Sequence, residues 1–316
     1  MFDNLLGQDK AVELLQQAVK QERVAPAYLF SGSLGIGRSI AAKSFTELLL
    51  TFNIAPEKQP RIAKKLATGN HPDLLWVEPT YLSKGELYTA SQAESKGLQY
   101  KTPPKLRIEQ VRSITQFLNR PVLEASRKVV VIKDAQTMAE APANALLKTL
   151  EEPGNATLIL IAPDADSLLT TLVSRCQRIQ FYSLSIADLT TILKHNGYQE
   201  ILAHPELLEI AQGSPGKAIA AWHQLQTIPE DLLQQLRQSI ATPLKAIKLA
   251  QTITKELDGQ TQLWLVDYLQ HYYWQQIPTV KLMEQWEHTR RCLLSYVQPR
   301  LVWECALLNL CRQVLI

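Results

Sequence analysis

Eight consecutive residues, Gly32-Ser33-Leu34-Gly35-Ile36-Gly37-Arg38-Ser39, restrict the folds open to this chain more than any other stretch. They fit the pattern G-x-x-x-x-G-[KR]-[ST]. Glycines at 32, 35 and 37 let backbone N–H groups curl around a phosphate, and a helix starting behind them adds partial positive charge. The pattern carries weight only between a strand and a helix. Both are predicted: Ala27-Tyr28-Leu29-Phe30 is a short apolar run of the kind a buried parallel strand requires, and residues 38–50 are helical in pattern. Ser39 would then offer its hydroxyl to magnesium. A plain tight turn is the competing reading, and it loses ground to the strands that follow.

Those strands are predicted at residues 74–77, 128–132, 157–162 and 177–181, with helices at 9–22, 106–118 and 142–150. Lys128-Val129-Val130-Val131-Ile132 is the clearest, β-branched and apolar after its first residue. Apolar strands alternating with helices predict a parallel sheet covered on both faces. Residues 53–70 are polar and basic. Residues 79–104, rich in Ser, Lys, Glu, Gln and Pro, read as a long exposed loop insertion. The alternation stops near residue 183. Helical periodicity then dominates: 186–195, 206–211, 217–225, 230–241, 243–257, 260–275, 280–297 and 300–316. The fold class expected is α/β followed by all-α. The division expected is a sheet domain at 1–183, a small helical domain at 184–226 and a helical bundle at 227–316. No internal repeat is visible.

The phosphate loop has two independent defects. Where the pattern favours a lysine, a compact charge reaching the β- and γ-phosphates, this chain has Arg38, whose planar guanidinium is not equivalent. ATPases with such loops also end a hydrophobic strand on an acidic pair that organises magnesium. Here Ile132 is followed by Lys133-Asp134, so an ammonium stands where the metal-holding carboxylate belongs. Binding of ATP or ADP without efficient hydrolysis and no nucleotide binding at all both stay open.

Bulk properties exclude several classes. A net charge of +3 is too small for a chain that is basic throughout, so any DNA contact must be local. Cys176, Cys292, Cys305 and Cys311 have neither zinc nor disulfide spacing and read as buried thiols. The first residues lack a signal-peptide pattern, and no apolar run is long enough to span a bilayer, so the expected location is cytoplasmic.

Asn144-Ala145-Leu146-Leu147-Lys148-Thr149-Leu150-Glu151-Glu152-Pro153 followed by Ser174-Arg175-Cys176 resembles the clamp-loader branch of the AAA+ ATPases, those of bacterial DNA polymerase III in particular. Weaker pieces agree, in order along the whole chain: Leu6-Gly7-Gln8, Asn70-His71-Pro72-Asp73, Gly213-Ser214-Pro215-Gly216-Lys217 and Pro299-Arg300-Leu301. The resemblance implies a P-loop AAA+ domain, a helical lid and a C-terminal collar that joins subunits into a ring. It implies partners: motor ATPase subunits (gamma/tau-like), a clamp-opening delta subunit, a sliding clamp and, through the assembled complex, primed DNA. It implies that Arg175 reaches as an arginine finger into the ATP site of a neighbouring subunit, and that Lys217 senses nucleotide from the lid. Gly32, Gly35, Gly37, Arg38, Ser39 and Asp134 would form this chain's own degenerate nucleotide site, without independent catalysis. Some members carry a four-cysteine zinc module before the His-Pro-Asp segment. Residues 50–70 contain no cysteine, so no zinc is expected.

Other constellations read more plainly. His71 lacks neighbours at metal spacing and reads as a turn residue before proline. Glu151 and Glu152, adjacent at a helix end, cannot face one reacting atom and read as structural. Arg61, Lys64 and Lys65 read as a solvated face. Trp264, Tyr268 and Tyr272, four apart on one helical face, read as core or subunit interface rather than as base-stacking groups. Two rival functions stand beside the leading one. An active motor of the same branch would require an isolated chain that hydrolyses ATP. A small P-loop kinase would require a substrate site after residue 183, where no catalytic cluster occurs.

Overall fold

Strands apolar at every position cannot tolerate solvent on either face, and the chain folds accordingly. The computed structural model describes residues 2, 5–83, 85–98, 100, 102–238, 240–295 and 297–314. The elements of the first half are α1 (Asp9–Lys20), β1 (Ala27–Ser31), α2 (Arg38–Thr51), α3 (Gln59–Ala67), β2 (Leu74–Val77), β3 (Thr80–Ser83), β4 (Glu86–Thr89), α4 (Ala90–Ser95), α5 (Ile108–Leu118), β5 (Lys128–Ile132), α6 (Glu140–Glu151), β6 (Ala156–Ala162), α7 (Thr170–Val173) and β7 (Gln177–Gln180). Among the described residues, five strands form a parallel sheet in the order β2-β5-β6-β1-β7. All residues of β1, β5 and β6 are buried.

Side chains alternate between two apolar clusters, as the two-residue period of a strand demands. Tyr28, Phe30, Val129, Val131, Ile159 and Ile161 pack with Leu15 of α1 and Ala41, Phe45 and Leu49 of α2. Leu29, Val130, Ile132, Leu158 and Leu160 pack on the other face with Val111 and Ile114 of α5 and Leu146 and Leu150 of α6. The chain leaves β1 toward one edge of the sheet and later returns past it to β7. The crevice beyond the carboxyl end of β1 is therefore a topological switch point, where open α/β sheets place ligands.

Residues 79–104 depart from the expected loop. They contain an antiparallel hairpin, β3 with β4, that pairs Tyr81 with Tyr88 and Leu82 with Leu87. Gly85, at φ +84°, provides the left-handed residue its turn requires. The side chain of Thr89 then caps α4, accepting from Gln92 N. Tyr81 stacks on Tyr100 with ring centroids 4.2 Å apart, and the Thr80–Lys105 bridge ties the hairpin base to the segment entering α5. Polar composition concealed these strands because their side chains are mostly solvated.

The second half is helical: α8 (Ile186–His195), α9 (Pro205–Ala211), α10 (Pro215–Gln226), α11 (Glu230–Arg237), α12 (Pro243–Glu256), α13 (Gly259–Gln276), α14 (Val280–Leu294) and α15 (Pro299–Val314). Prolines open α9, α10 and α12, where a missing N–H costs nothing. Ser214, Thr242 and Asp258 cap α10, α12 and α13 with side-chain oxygens. Helix α11 ends at Arg237 and α14 at Leu294, short of the expected 241 and 297. Residues 315 and 316, expected in the last helix, lie outside the described residues. The chain divides into two compact units, Met1–Asp188 and Leu189–Ile316. One apolar cluster runs through the second unit from Leu189 to Cys311.

Candidate functional site

Hydrogen bonding and close packing fix the loop between β1 and α2. Gly32 adopts φ +151° and donates its N–H to Pro163 O at 2.8 Å. A Cβ there would stand 2.5 Å from the carbonyl oxygen of Phe181, so only glycine fits. Gly35 and Gly37 take φ +79° and +103°, and a Cβ on Gly37 would meet Leu5 Cδ1 at 2.7 Å. Gly37 is the N-cap of α2 and offers no side chain to the first N–H groups of that helix. The left-handed glycines and the uncapped start of α2 are the backbone features that the loop pattern calls for.

Arg38 opens α2 and is 5% exposed. Its Nη1 is buried with no hydrogen-bond partner among the described residues. Burial pushes the guanidinium pKa down, and the negative charge of Asp134 partly offsets this. Asp134, just past β5, sits in the left-handed region at φ +50°. Ser39 is half-buried. Lys133 Nζ lies 3.5 Å from Glu78 Oε1, an oxygen that also accepts from Trp76 Nε1 at 2.9 Å. The ammonium at the expected metal position is therefore engaged by a carboxylate.

Arg175 lies in the turn between α7 and β7, with its side chain 36% exposed. Its Nε and Nη2 donate to Glu151 Oε1 at 3.0 and 2.7 Å, and Nη1 donates to Thr171 O at 2.9 Å. The guanidinium is thus at the surface and ion-paired within its own unit. Glu151, expected to be structural, is its partner. The neighbouring Cys176 is shielded, and burial pushes its thiol pKa up to about 11. Lys217 lies in the second unit, in the first turn of α10, where its backbone N–H donates to Ser214 Oγ at 3.2 Å.

Other motifs resolve into structure. Gln8, from the Leu-Gly-Gln segment, brackets the backbone of Tyr182 by donating to its carbonyl at 2.7 Å and accepting from its N–H at 3.2 Å. His71 is buried. Its Nδ1 accepts from Asp73 N at 3.1 Å, and burial pushes its pKa below the usual histidine value. Among the described residues no group of three or more His, Cys, Asp or Glu is placed to hold a metal ion. Of the basic trio on α3, Lys65 pairs with Glu124. Trp264, Tyr268 and Tyr272 form a stacked ladder on the second unit's apolar cluster, which agrees with the core reading. Among the described residues no helix is long and apolar enough to cross a membrane.

Two buried charges of the first unit escaped the sequence reading. Asp73, fully enclosed, accepts from the backbone N–H groups of Leu123, Glu124 and Ala125 at 2.7–2.8 Å. Lys128 donates to the carbonyls of Phe117, Leu118 and Arg120 at the end of α5. The available signal was a charge directly abutting an apolar strand: Asp73 before β2 and Lys128 at the head of β5.

Residues 7–185 match the family profile described as DNA polymerase III, delta subunit. Residues 187–310 match the profile described as cyanobacterial DNA polymerase III delta prime, C-terminal domain. The chain belongs to the DNA polymerase III delta-prime family. It is 32% identical over 182 residues to DNA polymerase III subunit delta' of Bacillus subtilis, covering 56% of this chain and 48% of that protein. It is 32% identical over 196 residues to subunit delta' of Pseudomonas aeruginosa, covering 60% and 54% respectively. It thus spans about half the length of these delta-prime relatives. A solved gamma subunit-related protein of DNA polymerase III from Thermotoga maritima superposes with a TM-score of 0.56 over 96% of this chain and 99% of that one. At 17% identity that likeness speaks for the fold alone, a parallel-sheet domain followed by helices.

Proposed function

We propose that this chain is a clamp-loader subunit that helps place a sliding clamp on primed DNA during replication, and that it completes a neighbour's ATP site while its own is disarmed. In this reading 184–226 is the lid and 227–316 the collar that joins it to gamma/tau-like motor subunits and to a clamp-opening delta subunit. The work is cytoplasmic, and no zinc is needed. The observation that carries the reading is the contrast between two arginines. Arg38 is buried at the start of α2 and Lys133 is held by Glu78, whereas Arg175 stands at the surface on a turn. Five guanidinium N–H groups less the three donated to Glu151 and Thr171 leave one on each terminal nitrogen. Those two suit the equatorial oxygens of a phosphoryl group under transfer, where an arginine supplied in trans is worth roughly 10³–10⁵ in rate.

Gly32, Gly35, Gly37, Arg38, Ser39 and Asp134, all in the first unit, form the degenerate nucleotide site in this reading. The intact glycine geometry favours ATP or ADP held without efficient hydrolysis. Reconstitution of the complex with and without this chain tests the function. Clamp loading and ATP hydrolysis should both depend on its presence. Sustained magnesium-dependent hydrolysis by the isolated chain would instead mark it as a motor.

A further inference from the structure

Glu151 and Glu152 close α6 on a pair of acids. The C-terminal end of a helix carries partial negative charge, so carboxylates there are unfavourable unless a cation meets them. Arg175 is that cation for Glu151. It does not merely approach the carboxylate. Nε and Nη2 share the single oxygen Oε1, while Nη1 is tied to the Thr171 carbonyl of α7. Contacts along two edges fix the plane of the guanidinium, which an exposed arginine would otherwise sample freely.

We propose that Glu151 is the positioning residue for Arg175: it grips one edge of the guanidinium so that the remaining N–H groups are presented, already ordered, to a phosphoryl group in a docked ATPase subunit. This rests on the trans role of Arg175 given above. An arginine has many rotamers, and one that must find its pose during the reaction loses that freedom at the transition state. A guanidinium held beforehand has already lost it, which is how pre-organised groups lower barriers. The opposite arrangement, in which the carboxylate competes with the phosphate and restrains the arginine, makes the opposite prediction. Because exposed ion pairs add little to folding, removing Glu151 should leave the chain folded and able to assemble.

The test uses complexes reconstituted from the full chain and motor ATPase subunits, with ATP. Thermal unfolding and co-elution check folding and assembly of each variant. E151A should lower kcat about tenfold or more, the scale expected for a misplaced group, with KM for ATP unchanged. E151Q, which keeps an oxygen for Nε and Nη2, should recover part of the rate. The E151A/R175A double variant should be no slower than R175A, because the carboxylate acts only through the arginine. An assembled E151A complex at or above the wild-type rate, beside a slow R175A complex, overturns the positioning role alone. A wild-type rate in R175A overturns the trans role, and the positioning role with it.

Discussion

Asp73 illustrates how one buried side chain can be settled by geometry. Its carboxylate, fully enclosed, is balanced by three backbone N–H groups from residues 123–125. Asp73→Ala strands all three donors and should cost about 3 kcal/mol or more in urea unfolding, with Asp73→Asn milder because one acceptor survives. Cys176 offers a chemical check. Burial raises its thiol from an ordinary value of 9.0 to about 11, so at pH 8 alkylation should be slow there and fast at the exposed Cys305. The sign of the linkage follows: the folded state keeps this proton longer than the unfolded chain does. Its contribution to stability is complete below pH 9 and is lost as pH rises toward 11, which a series of unfolding curves would reveal. At this scale the sequence was half legible. Arg38 and Lys133 announced themselves as wrong residue types in a recognisable pattern. Asp73 and Lys128 did not, because what recruits them is carbonyls and N–H groups that no side-chain alphabet records.

At the scale of elements, the strands with continuous apolar runs and the helices with a 3.6-residue period were readable, because burial on both faces or on one face imposes those patterns directly. The hairpin at 80–89 was not. Its stability comes from the Tyr81–Tyr100 stack, the turn at Gly85 and the capping of α4, each of which depends on residues distant in sequence or on backbone angle. The aromatic run of α13 was legible as core but not as a polar junction. Tyr268 is fully buried, accepts from Arg237 Nε at 2.8 Å and donates to Glu206 Oε1 at 3.0 Å. Tyr268→Phe keeps the stacked ladder but removes that hydroxyl, leaving Arg237 and Glu206 to each other. It should destabilise the helical unit by about 2 kcal/mol, measured as a shifted denaturation midpoint with an unchanged slope.

For the molecule as a whole, the order of elements places a glycine cradle at the switch point of the sheet and an arginine on a surface turn of the same unit. Family membership was legible because its strongest signatures are contiguous: the run ending in Glu151-Glu152-Pro153 and the triplet Ser174-Arg175-Cys176. What could not be read was the tie between them, from Glu151 to Arg175 across 24 positions. The central claim is that this tie serves a pocket in another subunit. The rate of ATP hydrolysis by a complex reconstituted with R175A, compared with wild type at equal occupancy, tests it most directly. A fall of roughly 10³-fold or more at the sites that this subunit completes is the predicted result. Hydrolysis at the wild-type rate in a correctly assembled complex would contradict it.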